Sequence, residues 1–273
     1  MYDGPPRPSR SRRAVIDGFG EPSYEYRRAV VQAIDGRGEP SYIDEMTTET
    51  FNLNAPPGFR GLPPDLPIRM YQRHLPHWRQ DGATYFVTFR LADSIPQEQL
   101  RALKRWRAIW ESENPEPRSD EKWHELAREI THKTEVWMDE GYGECVFRHR
   151  DLADEMSKSL LHFQNERCLT SCLTVMPNHV HAVMKPLGGF ELEDILESVK
   201  RFVSRKVNSM LGRSGALWEE ESYDRIVRDE EHLFRGIQYI GRNAAKAGLP
   251  AEQVVRWMLP EWEQAGWGFR GDG

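Results

Sequence analysis

No apolar run in this chain of 273 residues approaches the roughly 20 residues that a membrane-spanning helix needs. Insertion into a bilayer is set aside, and no membrane partner is expected. The opening MYDGPPRPSRSRRAVIDG has basic side chains but lacks an apolar stretch behind them and a small-residue cleavage site. It does not read as a secretory signal, and a cytoplasmic location is the expectation. Cysteine is scarce: Cys145, Cys168 and Cys172 are the three present, an odd number with no zinc-ribbon partner set. That points to a reducing compartment and to small buried thiols rather than to disulfides. An excess of positive charge is lacking too. A formal net charge of -6 argues against a protein that coats duplex DNA by neutralising phosphates, while leaving room for a local basic groove.

What is present, 38% hydrophobic and 11% aromatic side chains, fills one generous core or two small ones, so a single domain with extensions is the starting point. Residues 1–66 hold Pro5, Pro6, Pro8, Pro22, Pro40, Pro56 and Pro57 among Arg, Ser, Gly and Glu with little periodicity. They read as a disordered or loosely packed arm. The next segment bridges into the folded part, with Tyr71, Leu75 and Trp78 as candidate pins. The domain proper is placed at 67–250. Its first strand runs over 83–92, rich in aromatic and β-branched residues behind the turn pair Asp81-Gly82. Helical spacing over 96–110 and 121–139, broken at Glu113-Asn-Pro-Glu-Pro117, makes a helical insertion at about 96–140. A further helix is expected at 151–166. Strands at 169–176 and 179–184 then form a hairpin around Pro177-Asn178.

A long amphipathic helix follows at 191–210, apolar along Leu192, Ile195, Leu196, Val199, Phe202 and Val203. Its other face carries Lys200, Arg201, Arg205 and Lys206, candidate phosphate contacts whose plainer reading is a solvated face. Short strand-like pieces lie at 216–218 and 223–228, the latter with Arg225 and Arg228. Asp229-Glu230-Glu231 opens a last core helix that Gly248 and Pro250 end. Residues 251–273, with Trp257, Trp262 and Trp267, read as a short helical tail. No internal repeat is visible.

Two features could carry chemistry. His179 and His181 are two apart in a strand, so both imidazoles share one face while Val180 and Ala182 take the other. Neutral imidazoles paired in this way suit a metal ion; histidines facing solvent or paired across strands are the plainer alternative. In the last core helix Leu233, Ile237, Ile240, Ala244 and Ala247 form an apolar stripe. Tyr239 falls off it, with Asn243 stacked above on the same flank and Lys246 nearby. A phenol and a carboxamide facing one region suit a nucleophile beside a metal ligand; an ordinary boundary tyrosine suits the same pattern.

The string Val175-Met-Pro-Asn-His-Val-His-Ala-Val183 resembles the histidine-hydrophobic-histidine motif of the IS200-like and REP-associated single-tyrosine transposases. Further resemblances follow in the family's order: Leu217-Trp218, then Tyr223-Asp-Arg-Ile-Val-Arg-Asp229, then Tyr239-Ile-Gly-Arg-Asn-Ala-Ala-Lys-Ala-Gly-Leu249. The resemblance covers roughly 80–250. It implies a ferredoxin-like α/β sandwich, an α+β fold with a central antiparallel sheet. It implies Tyr239 as nucleophile and His179, His181 and Asn243 as ligands of a divalent metal, Mg2+ or Mn2+. The activity implied is cutting and rejoining of single-stranded or hairpin DNA through a covalent phosphotyrosine, by a monomer or a homodimer. One departure stands out: Ala244 occupies the position where the family usually has proline. A catalytically silent, sequence-specific DNA-binding protein of the same fold is the alternative, and a small-substrate metal hydrolase lacks the extra ligand motif it needs.

Overall fold

The computed structural model describes residues 51–270 apart from 64, 74 and 75. Two short antiparallel strands, β1 (Arg69–Gln72) and β2 (Pro76–Arg79), come first. The aromatic and β-branched run that follows forms β3 (Tyr85–Arg90) in the middle of the main sheet. Helices α1 (Gln97–Glu113) and α2 (Asp120–Asp139) make the expected insertion. The chain continues as α3 (Arg150–Leu161), β4 (Cys168–Val175), β5 (His179–Pro186), α4 (Leu192–Met210), β6 (Tyr223–Ile226) and α5 (Glu230–Lys246). It closes with β7 (Val255–Met258) and α6 (Pro260–Gln264).

The five-stranded sheet has the order β6-β3-β5-β4-β7, and every neighbouring pair is antiparallel. Two split βαβ units interleave in it: β3 reaches β4 through α3, β5 reaches β6 through α4, and each pair has one strand of the other unit between its members. This is the ferredoxin-like α/β sandwich. Alternation then decides which side chain faces what. Tyr85, Val87, Phe89, Val180, Ala182 and Met184 point to one face, under α3 and α4. Phe86, Cys172 and Val183 point to the other, where α5 lays down Leu233, Phe234, Ile237 and Ile240. Asp229 caps α5, its carboxylate accepting from the His232 N–H at 2.7 Å, and Gly248 follows the helix at φ +63°, a conformation that favours glycine.

Several segments differ from their sequence reading. The segment expected only to bridge into the domain is the β1–β2 hairpin. A buried ionic hub fastens it: Asp224 on β6 accepts from Arg79 at 3.0 Å and lies 2.5 Å from His77 Nδ1, Glu193 accepts from Arg79 Nε at 2.8 Å, and Glu221 lies 3.1 Å from His77 Nε2. Tyr71 stacks on His77 and Trp78 on His124; Leu75 lies outside the described residues. The arm placed at 1–66 falls outside them as far as residue 50. From Phe51 on, the chain is not loosely packed: Phe51, Leu53 and Phe59 press on the core beneath α5, and the Trp262 and Trp267 indoles donate to the carbonyls of Pro57 (2.8 Å) and Asn54 (3.0 Å). The tail is not purely helical either, since Val255–Met258 pairs with β4 as the fifth strand. Residues 216–218 contribute only a bridge between Leu91 and Trp218. α3 stops at Leu161, short of the expected 166. No helix among the described residues is long and apolar enough to cross a membrane.

Candidate active site

The sheet register puts Thr88 opposite His181 on β3 and Thr174 opposite it on β4, so both histidines of β5 stand over the centre of the sheet, on the face that α5 covers. His179 and His181 are 1% and 0% exposed, their ring centroids 4.7 Å apart and nearly perpendicular. They do not face solvent, and His181 is paired across strands with Thr88. Burial, with the Lys246 charge nearby, holds His179 down at about 3. His181 is also held well below the usual range, by burial and then by His179 and Lys246. Both rings are neutral across the physiological range.

Asn178, in the corner between β4 and β5, sets the tautomer of His179. Its Nδ2 donates to the carbonyls of Met138 (3.0 Å) and Tyr142 (3.4 Å), which leaves Oδ1 facing His179 Nδ1 at 2.8 Å. The proton is therefore on Nδ1, and Nε2 keeps its lone pair. His181 has Thr88 Oγ1 2.7 Å from Nδ1 and the Asn243 carboxamide 2.7 Å from Nε2. With Asn243 Nδ2 donating, His181 likewise carries its proton on Nδ1.

Helix α5 brings the other two predicted residues to this place. The Tyr239 ring lies 5.6 Å from the His181 ring, edge to face, and its hydroxyl is hydrogen-bonded to Asn243, one turn on. With alanine rather than proline at 244, α5 runs on to Lys246. Tyr239 is nonetheless not a boundary tyrosine: it is 6% exposed, because α2 covers the flank left off the apolar stripe. The last turns of α2 touch the site at three points. Glu135 accepts from the Tyr239 hydroxyl, the Met138 carbonyl accepts from Asn178, and Asp139 pairs with Lys246 at 2.6 Å. Burial pushes the phenol well above its ordinary value, and Glu135 raises it further. Burial also pushes the Glu135 carboxyl up to about 7, against the hydrogen bond from Tyr239 and the charges of Lys246 and Arg225.

Sequence reasoning passed over Glu135 and Asn178. Glu135 had a readable signal: it sits on the inward stripe Ala127, Thr131, Glu135, Met138 of α2, where a carboxylate is out of place. Asn178 enters the sequence reading in the turn and in the string over 175–183, with no role of its own.

The candidate phosphate contacts divide between the two faces of the sheet. Arg225 lies on the Tyr239 face, bonded to the Tyr223 hydroxyl at 2.6 Å and close enough to act on the Glu135 charge. Arg228 follows it, its backbone N–H 3.2 Å from His232 Nδ1. Lys200, Arg201, Arg205 and Lys206 belong to α4, across the sheet from Tyr239. Lys200 donates to the carbonyls of Glu219 and Glu220, and burial holds it down at about 8. Arg201, Arg205 and Lys206 are exposed, Arg201 beside Glu197 at 3.5 Å.

No three His, Cys, Asp or Glu side chains among the described residues group as a metal cage. The groups that gather are the His179 and His181 rings, 4.7 Å apart between centroids, and the Asn243 carboxamide at His181 Nε2, whose oxygen a turn of the amide would present. This set fits a divalent ion: both rings are neutral, Asn178 and Thr88 fix their orientation from behind, and the carboxamide is already in contact with one of them.

No family model and no curated protein matches the chain. Among solved structures it is similar to one described as "Structure of the REP associates tyrosine transposase bound to a REP hairpin", at 13% identity and a TM-score of 0.36, over 66% of this chain and 74% of that chain.

Proposed function

We propose that this chain is a DNA strand transferase that cuts and rejoins single-stranded DNA, at hairpin-flanked sites, through a covalent bond to Tyr239. The observation that carries the reading is the meeting of Tyr239, Asn243, His181 and His179 on one buried face. These are the residues that the ordered motifs of the sequence implied, and they come from one strand, β5, and one helix, α5, far apart in the chain. All four belong to one chain, so the reading needs no second copy to complete the site.

Tyrosine attack on a phosphodiester has two demands: the phenol must give up a proton that it normally holds to a pKa of about 10, and charge on the phosphate must be offset. His179, His181 and Asn243 would hold a divalent ion, which when bound polarises the phosphate and offsets its charge. Asn178 and Thr88 keep the imidazoles in the tautomer that presents Nε2. Arg225 and Arg228 stand on the same face and supply cations for the strand near the cut. The exposed cations of α4 lie across the sheet, where they suit a more distant part of the hairpin. In the step itself the Tyr239 oxygen bonds to phosphorus while the bond from phosphorus to the departing sugar oxygen breaks. Rejoining reverses this, so bond energy is conserved. Two imidazoles favour manganese over magnesium, which prefers an all-oxygen shell.

The test is incubation of the protein with hairpin-flanked oligonucleotides and manganese, followed by denaturing electrophoresis for a covalent adduct. The wild type forms the adduct, chelation abolishes it, and Tyr239→Phe does not form it. An adduct that survives Tyr239→Phe refutes the assignment. A second reading, a DNA-binding module without catalysis, draws on the deep burial of Tyr239 and its protonated phenol. Tight hairpin binding with no adduct at any metal concentration selects it.

A further inference from the structure

The helical insertion reaches the Tyr239 hydroxyl through Glu135. Glu135, on α2, is 5% exposed, yet it is a carboxylate in a helix face otherwise given to Ala127, Ile130, Thr131 and Met138. One of its oxygens accepts from Tyr239 while Oε2 has no hydrogen-bond partner among the described residues. A buried carboxylate with an unused oxygen is costly unless it has work to do. It also lines a cleft of about 490 Å³ between the insertion and the sheet, shared with Arg90, Lys104, Arg107 and Tyr223. A proton placed on Glu135 therefore has a route to solvent.

We infer that Glu135 is a catalytic residue, the general base that takes the Tyr239 proton during cleavage and returns it during rejoining. The inference rests on the Tyr239 reading above. As the Tyr239 oxygen bonds to phosphorus, its proton passes to a Glu135 oxygen. The bond from phosphorus to the departing oxygen breaks, and that oxygen takes a proton from water. In rejoining a free DNA hydroxyl gives its proton to water as its oxygen bonds to phosphorus, the bond from phosphorus to the tyrosine oxygen breaks, and that oxygen recovers the proton from Glu135. The groups that set the affinity of Glu135 for that proton are Tyr239 and Lys246 on α5, Asp139 on its own helix and Arg225 on β6. Tyr223 and His232 line the adjoining hollow. Burial places the carboxyl at about 7, where a base is most effective near neutral pH. The sign follows: the base is competent above about 7 and lost as pH falls through that value.

The experiment measures single-turnover adduct formation at saturating hairpin DNA and manganese across pH 5 to 9, for the wild type and for Glu135→Gln, which keeps an acceptor and the shape. The expected result is a fall of about 10²–10⁴-fold in Glu135→Gln with hairpin affinity unchanged. The wild-type rate declines below about pH 7, and that limb is missing in the variant. A variant that reacts at the wild-type rate with the same profile overturns the inference while leaving Tyr239 as nucleophile. If Glu135→Gln fails to fold, the wild-type profile decides alone, and a rate flat from pH 5 to 9 overturns the proposal. No adduct in the wild type, or an adduct in Tyr239→Phe, removes the Tyr239 reading and this inference together.

Discussion

Replacing Asn178 with alanine isolates the part of the site that holds an imidazole rather than the imidazole itself. Asn178 is 2% exposed and makes three contacts: Oδ1 to His179 Nδ1 at 2.8 Å, and Nδ2 to the Met138 and Tyr142 carbonyls. Alanine leaves a buried Nδ1–H without an acceptor, at a cost of about 1–3 kcal/mol, and two carbonyls short of a donor, at about 0.5–1.5 kcal/mol each. Partial rehydration brings the loss to about 2–4 kcal/mol. For a domain of this size that lowers Tm by roughly 5–15 °C. Freed from its backing, the His179 ring can turn or change tautomer, and manganese affinity should fall about 10–100-fold. Thermal unfolding by circular dichroism and titration calorimetry with manganese read the two effects separately. Asn178→Asp divides them further: a carboxylate still accepts from Nδ1 but cannot donate to the carbonyls, so stability falls while metal affinity is kept. Unchanged manganese affinity in Asn178→Ala, together with a Tm within about 2 °C of wild type, refutes the orienting role.

The hub under β1 and β2 makes a pH prediction. Burial alone would lower His77, but its hydrogen bonds to Asp224 and Glu221 raise it to about 9. Its stabilising contribution is therefore complete below its ordinary value of about 6.5 and is lost as pH rises through about 9. Denaturant midpoints across pH 6 to 10 should show this loss, and Asp224→Ala should shrink it, leaving the Glu221 part, while costing about 3–5 kcal/mol by removing one of the carboxylates paired with buried Arg79. Trp262→Ala removes a side chain that is 0% exposed and anchors the stretch from Phe51. It should cost about 3–5 kcal/mol and open residues 51–63 to limited proteolysis, whereas an unaltered cleavage pattern contradicts the anchoring.

The strands and helices that build the sandwich were legible because each carries its own period. The aromatic and β-branched run of β3, the alternation of β5 and the stripes of α4 and α5 announce these elements. What escaped notice depends on partners distant in sequence. Arg69–Gln72 and Pro76–Arg79 alternate weakly, and their inward residues Arg79 and His77 are polar; Asp224, far along the chain, is what fastens them. Val255–Met258 becomes a strand because β4 offers it an edge. The four predicted site residues were readable from spacing and order, since each pair shares one strand or one helix. Their depth was not readable, because the cover comes from α2, whose place over α5 no local pattern records.

That cover changes what the insertion is for. Without α2, Tyr239 would sit beside the apolar stripe of α5, partly solvated and with a phenol of ordinary acidity. With α2 in place, the phenol loses water and its neutral form gains, which by itself slows attack. The same helix brings Glu135 to the hydroxyl, Asp139 to Lys246 and the Met138 carbonyl to Asn178, so one helix both buries the phenol and supplies its hydrogen-bond acceptor and part of the histidine support. The three contacts sit at positions 135, 138 and 139, one face of one helix, and cannot be loosened independently. Any motion that lifts the end of α2 to admit a strand must therefore alter the acidity of Tyr239, the charge state of Glu135 and the backing of His179 at the same time.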